Sequence, residues 1–147
     1  MFNQIQLSGF SDEISPDFDK QMQVISQLGM KYIEIRGVDG KNITELPPDE
    51  VAVVKEKLDA AGVQISSIGS PIGKIDITDD FAPHLETFRK LLETAKTLNT
   101  RYIRMFSFYM PKDANPADYR EEVFARLKVL VQEAEKADIV LLHENEK

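Results

Sequence analysis

The sequence has no cysteine among its 147 residues. Disulfides, thiolate catalysis and cysteine-ligated metal are therefore excluded. It also has no apolar run approaching the ~18 residues of a membrane span. Its N-terminus lacks the basic stretch followed by an apolar one that marks a secretory leader, so a cytoplasmic location is expected. Positive charge is in short supply: 18 Lys and Arg face 25 Asp and Glu, for a net charge of −7. Nucleic acid and anionic membranes demand a basic surface, and neither is expected as a partner. A small anionic substrate gripped by one or two arginines is still compatible with this balance. There is no low-complexity tract. A chain that is 42% hydrophobic and 29% charged has the composition of a globular protein, and its length suits one domain, residues 1–147, with a real core.

Strand and helix signals alternate along the chain. The first strand is expected over Gln4–Gly9. Ser15-Pro16 then starts a helix with Phe18, Met22, Ile25 and Leu28 at helical spacing, stopped by Gly29. Tyr32–Arg36 reads as the second strand. Pro47-Pro48-Asp49-Glu50 opens the second helix, with a stripe of Val51, Val54, Leu58 and Ala61 and a stop at Gly62. Val63–Gly69 is the third strand, followed by a Gly/Pro loop to about Ala82. Pro83 opens the third helix, striped by Leu85, Phe88, Leu92 and Ala95. Tyr102–Phe108 is the fourth strand. Asn115-Pro116 caps the fourth helix, with Tyr119, Val123, Leu127, Leu130 and Ala134 on one face, and Ile139–His143 is the fifth strand.

Consecutive βα units of this spacing fit either an open doubly wound sheet or part of a (βα)8 barrel. The charged residues inside the strands decide between them. Ile33 and Ile35 share one face of the second strand, with Glu34 and Arg36 on the other, and Arg104 interrupts the fourth strand opposite Ile103 and Met105. Both faces of a doubly wound sheet meet helices, where such charges are costly to bury. A barrel mouth can pair them. The fold class expected is α/β, a half TIM barrel of about four and a half βα units with parallel strands. The fifth strand has no covering helix after it, and a parallel strand is normally covered on both faces. The sequence therefore reads as the first part of a longer repeating fold.

Several residues are candidates for chemistry. His143-Glu144-Asn145-Glu146, at the end of a strand, suits a divalent cation or proton transfer, or else is a solvated terminus. Glu34 and Arg36 suit a polyol or form a rim ion pair. Arg104 suits a phosphate or carboxylate, or a salt bridge to Glu34 or Glu144. Phe10-Ser11-Asp12-Glu13 follows the first strand, where its acids either serve a site or favour a helix N-terminus. Gly69-Ser-Pro-Ile-Gly73-Lys74 is not a nucleotide-binding loop. It is one residue short between the glycines, and Ile75 stands where Ser or Thr would hold magnesium. Lys74 can still face a substrate from this turn. His84, in the first turn of the third helix, reads as a surface residue.

Taken in order, Phe10-Ser-Asp-Glu13, Tyr32-Ile-Glu-Ile-Arg36, Ser67-Ile-Gly-Ser-Pro-Ile-Gly-Lys74, Tyr102-Ile-Arg-Met-Phe-Ser-Phe-Tyr109 and Leu142-His-Glu-Asn-Glu-Lys147 resemble the N-terminal half of the xylose-isomerase-like TIM-barrel superfamily. Its members include sugar phosphate isomerases, epimerases and AP endonuclease relatives. The resemblance implies a sugar or sugar phosphate substrate and a divalent metal (Mn, Mg, Zn or Co) at the barrel mouth. It makes Glu144 the first metal ligand and catalytic carboxylate, with Glu146 as the alternative ligand, and Phe10, Glu34, Arg36, Lys74, Arg104 and His143 the substrate-binding residues. The family's other ligands come from strands six to eight, which this sequence does not contain, so the chain alone is expected to be inactive. Its open edges imply a homo-oligomer joined through the half-barrel opening. A non-catalytic binding or assembly module is the alternative. An AP endonuclease-like hydrolase fits the acidic charge poorly.

Overall fold

A computed structural model describes residues 5–145. A short 3-10 turn, Ser11–Glu13, leads to helix α1, Phe18–Gln27, and strand β1, Tyr32–Ile35. A hairpin of β2, Gly37–Val38, and β3, Lys41–Asn42, runs through a second 3-10 turn into helix α2, Pro48–Ala61. Strand β4, Gln64–Gly69, helix α3, Phe81–Thr97, strand β5, Tyr102–Met105, helix α4, Pro116–Lys136, and strand β6, Val140–His143, complete the path. The main sheet is parallel, in the order β1-β4-β5-β6, so each strand lies beside the strand of the preceding unit. This is the half TIM barrel expected from the sequence.

Side-chain parity divides the sheet into two faces. Ile35, Ile68, Ile103 and Leu141 fall in register across the four strands, and the first three are fully buried. They join Phe18, Leu58, Phe88 and Leu130 from the four helices in one apolar core. The register holds because of a β-bulge. Ile33 faces Ile65 but Glu34 faces Ser67, so Ser66 is the extra residue. Without that slip Ile35 would oppose Ser67, and Ile68 would turn away from the core. The other face carries Gly69, Arg104 and Leu142 in one row, with Glu34 of β1 opposite Ser67, two residues before Gly69.

The structure departs from the sequence reading in several places. Residues 5–9 of the expected first strand form no strand; Gln4 lies outside the described residues. Backbone pairing there is a single parallel bridge between Phe10 and Glu34, with Gly9 O accepting from Glu34 N at 2.9 Å, beside a 2.6 Å hydroxyl contact between Ser8 and Ser66. Ile5 and Leu7 are 66% and 69% exposed, so this segment has no apolar burial to offset the cost of ordering it as a strand. The fourth strand stops at Met105 rather than Phe108, because Phe106 and Phe108 donate their N–H groups to Ile72 O and Gly73 O of a neighbouring loop. Helix α1 is capped by Asp17, not Ser15, and α3 by Asp80, three residues before Pro83. Leu28 is exposed and lies outside the buried stripe. The β2–β3 hairpin was not expected. It turns on Asp39-Gly40, whose φ values of 50° and 78° are those of a two-residue hairpin turn.

Candidate functional site

Gly69, at the C-terminal end of β4, is where the inner face becomes a site. A methyl group on its Cα would lie 2.8 Å from Phe10 Cε1, 3.0 Å from Arg104 Nη2 and 3.1 Å from Glu34 Oε1. Three chemically different side chains therefore converge on the space that glycine leaves. Arg104, on the neighbouring strand, is the centre of the cluster. Its Nε is 3.1 Å from Glu144 Oε2 and 3.7 Å from Glu34 Oε1, and its Nη1 donates to Ser70 O at 2.9 Å. The guanidinium also lies 4.7 Å from the Phe106 ring and 5.6 Å from the Phe10 ring. Its side chain is only 12% exposed, which strengthens its interaction with the two carboxylates over that of a solvated pair. Among the described residues Nε has no well-aligned hydrogen-bond partner, although it is ion-paired with Glu144.

Two more cations border this cluster. Arg36 donates to Asp12 Oδ2 at 2.8 Å, lies 3.5 Å from Glu13 Oε1 and stacks 4.4 Å from the Phe10 ring. The Asp12 hydrogen bond raises its pKa further, so it stays charged at all working pH. Lys74 Nζ stands 4.1 Å over the Phe106 ring. A cavity of about 420 Å³ opens beside Phe106 and Glu144, walled by Gly73, Ser107, Tyr109 and Met110. Phe106, Phe108 and Tyr109 provide its apolar walls and Glu144 its charged group, with the Arg104 guanidinium paired to Glu144, an arrangement suited to a small polar ligand.

The structure thus brings together Phe10, Glu34, Arg104 and Glu144, with Arg36 and Lys74 at the border. His143 stands apart. It pairs in register with Met105 on the opposite parity from Arg104, and its Nε2 lies 3.0 Å from Ser107 Oγ. Glu146 lies outside the described residues. His84 is not the surface residue expected from its place in the helix. It is half-buried, and its Nε2 accepts a 2.8 Å hydrogen bond from Gly73 N. Burial, and then the nearby positive charge of Arg126, lower its pKa and keep the imidazole neutral.

Sequence reasoning missed two further residues. Gln21 is fully buried in α1, where its amide accepts from Ser11 Oγ and donates to Ser15 O and Gly37 O. Arg126, buried in α4, donates to Asp79 O and lies over both Phe81 and Phe108. The available signal was a polar residue on an apolar helical stripe.

The family model for the xylose isomerase-like TIM barrel matches residues 22–147. The chain belongs to that family. No curated protein matches it significantly. Among solved structures, a xylose isomerase-like TIM barrel protein from Mycobacterium smegmatis in complex with magnesium superimposes with a TM-score of 0.74 at 15% identity, over 98% of this chain and 56% of that one. The IolI protein with a bound zinc atom gives 0.73 at 17%, over 95% and 51%. A D-psicose 3-epimerase solved in the presence of D-fructose gives 0.67 at 19%, over 91% and 50%. The chain therefore spans about half the length of these structures, and at such identities the likeness concerns the fold.

A divalent metal can be tested against the residues present. No three His, Asp or Glu side chains converge as a metal site would require among the described residues. Glu144, the expected ligand, instead faces the Arg104 guanidinium. A magnesium-type ion needs about six oxygen ligands. The described residues do not by themselves fit such an ion.

Proposed function

We propose that this chain forms one half of the mouth of a carbohydrate isomerase or epimerase, acting on a ketose or its phosphate. The observation that carries this reading is the Arg104 guanidinium, held by Glu34, Glu144 and Ser70 O between the Phe10 and Phe106 rings at the strand ends. An arginine there can polarise a carbonyl or bind a hydroxyl, and a carboxylate beside it can take a proton from the adjacent carbon. Catalysis in the whole protein would draw on a divalent metal, with Glu144 or Glu146 as one ligand. The missing ligands must come from outside the described residues, and the chain alone is expected to bind substrate without turning it over. The D-psicose 3-epimerase solved with D-fructose supports a ketose as the substrate class.

Saturation-transfer NMR with D-fructose, D-tagatose and ketose phosphates tests this. Wild-type chain is expected to bind at millimolar affinity, and Arg104→Ala at least tenfold more weakly. Absence of binding by every ketose would overturn the substrate reading. Deuterium incorporation next to the ketose carbonyl, catalysed by the chain alone, would overturn the incomplete-site part.

A second reading, an assembly module, is favoured by one feature. Tyr102, Val140 and Leu142 are 45%, 43% and 40% exposed on the same inner face. We infer that this face is covered in solution by a second copy of the chain, joined across the half-barrel opening.

A further inference from the structure

We propose that His84 is a positioning residue of the mouth: acting through Gly73, its ring nitrogen holds residues 70–80 against residues 106–109 and so fixes where Lys74 and Phe106 stand. The inference depends on no assigned reaction.

The two segments run side by side as an improvised ladder. Phe106 N donates to Ile72 O, Phe108 N to Gly73 O, Tyr109 N to Ile75 O, and Ile77 N to Tyr109 O, each at 2.8 Å. Gly73 is the point of closest approach. Its φ is +91°, and a Cβ there would lie 2.1 Å from Phe106 O. With its carbonyl committed to Phe108, the Gly73 N–H points the other way, and His84 Nε2 accepts it. The α3 helix thereby grips the loop at the residue that touches the neighbouring segment. The ring is packed in turn, with Phe81 centred 6.3 Å away and Phe81 edge-on to Phe108 at 6.1 Å. On the mouth side, Lys74 follows Gly73 and stacks on Phe106, whose ring also lies near the Arg104 guanidinium. A shift at Gly73 therefore reaches the Arg104 cluster through one ring.

Nε2 can accept only while the imidazole is neutral, with its remaining proton on Nδ1. A second proton replaces the acceptor with a donor aimed at an amide N–H, and the grip is lost. Charged groups on the surrounding elements are Arg126 and its partner Glu122 on α4, Lys74, Asp76 and Asp79 on the loop, and Asp80 at the start of α3. Arg126 is the one whose charge acts on the ring, and it opposes protonation.

The test is an amide-resolved NMR titration of the ¹⁵N-labelled chain from pH 8 to pH 5. The Gly73 and Phe108 amide resonances are expected to move with the same midpoint as the His84 ring protons. In His84→Gln, whose side-chain carbonyl accepts without titrating, both should stay flat. Below the wild-type midpoint, and at all pH in His84→Ala, exchange of these two amides should rise about tenfold after correction for intrinsic rates, the scale of one hydrogen bond. Amides of β4 and β5 should be unchanged. A His84 titration that leaves Gly73 unmoved would overturn the proposal, as would acceleration of all amides together, which marks a merely structural role. If His84→Ala does not fold, the wild-type and His84→Gln titrations still decide.

Discussion

Gly69 is occupied by its neighbours' side chains as much as by its own hydrogen. Gly69→Ala would push its methyl into Phe10, Arg104 and Glu34 at 2.8 to 3.1 Å. Arg104 is not a freely swinging chain end, since it is fixed by Ser70 O and the two carboxylates. The expected cost is about 1–3 kcal/mol, typical of overpacking, read from urea denaturation, together with a larger fractional loss of ligand binding than of stability. An unchanged denaturation midpoint would show that the cluster is looser than its distances indicate. His84 gives a second prediction at this scale. Its folded-state pKa is lowered, so the unfolded chain, with a value near ~6.5, takes up the proton first. Stability from this residue is present above that value, falls as pH drops through it toward the folded-state pKa, and then levels off. Urea midpoints of wild type and His84→Gln should converge as pH falls from 7.5 to 5; parallel curves would contradict the shift. The sequence exposed Glu34 and Arg104 because charge inside an otherwise apolar strand is conspicuous. It hid His84 and Gln21 because their partners include backbone groups, Gly73 N in a loop and Gly37 O in the hairpin, that no spacing rule connects to a helix.

At the scale of elements, side chains from helices anchor the mouth loops. Gln21 reaches from α1 to three groups on the 3-10 segment and the hairpin. Gln21→Leu keeps the volume but strands them, at about 1–3 kcal/mol for each polar group left buried without a partner. The loss should appear as faster proteolysis within residues 11–15 before any change in helix content by circular dichroism; simultaneous loss of both would show that α1 and its loop unfold as one unit. The α4 cap is simpler. Asn115 accepts from Ala117 N ahead of Pro116, and Asn115→Ala should cost about 1 kcal/mol in thermal or urea unfolding. Helices and central strands were legible to within a few residues because their apolar periodicity is set by burial against a single core. The first expected strand was not, since Ile5 and Leu7 alternate properly yet find nothing to pack on. The hairpin escaped notice because two-residue strands carry no periodicity, although Asp39-Gly40 is a turn signal by itself.

At the scale of the molecule, the inner face is the feature with most to explain. If a second copy covers Tyr102, Val140 and Leu142, then Leu142→Glu should shift the mass measured by light scattering from dimer toward monomer, with wild type dimeric at micromolar concentration. A wild-type monomer at that concentration would remove the assembly reading. Mn added to wild type would tighten the dimer only if two mouths complete a metal site between them.

The order of the sheet bears on synthesis as well as on assembly. Because β1, β4, β5 and β6 lie side by side in the order in which the chain is written, no strand waits for a distant partner. Each βα unit emerging from a ribosome meets the already folded edge of the unit before it, much as repeats add to a solenoid. Each pairing spans a single βα unit, as Tyr32 with Gln64 and Ile68 with Ile103, and none skips one. The growing edge would always be a parallel strand with an open side, a site where a nascent chain either accepts its own next strand or strays into another's.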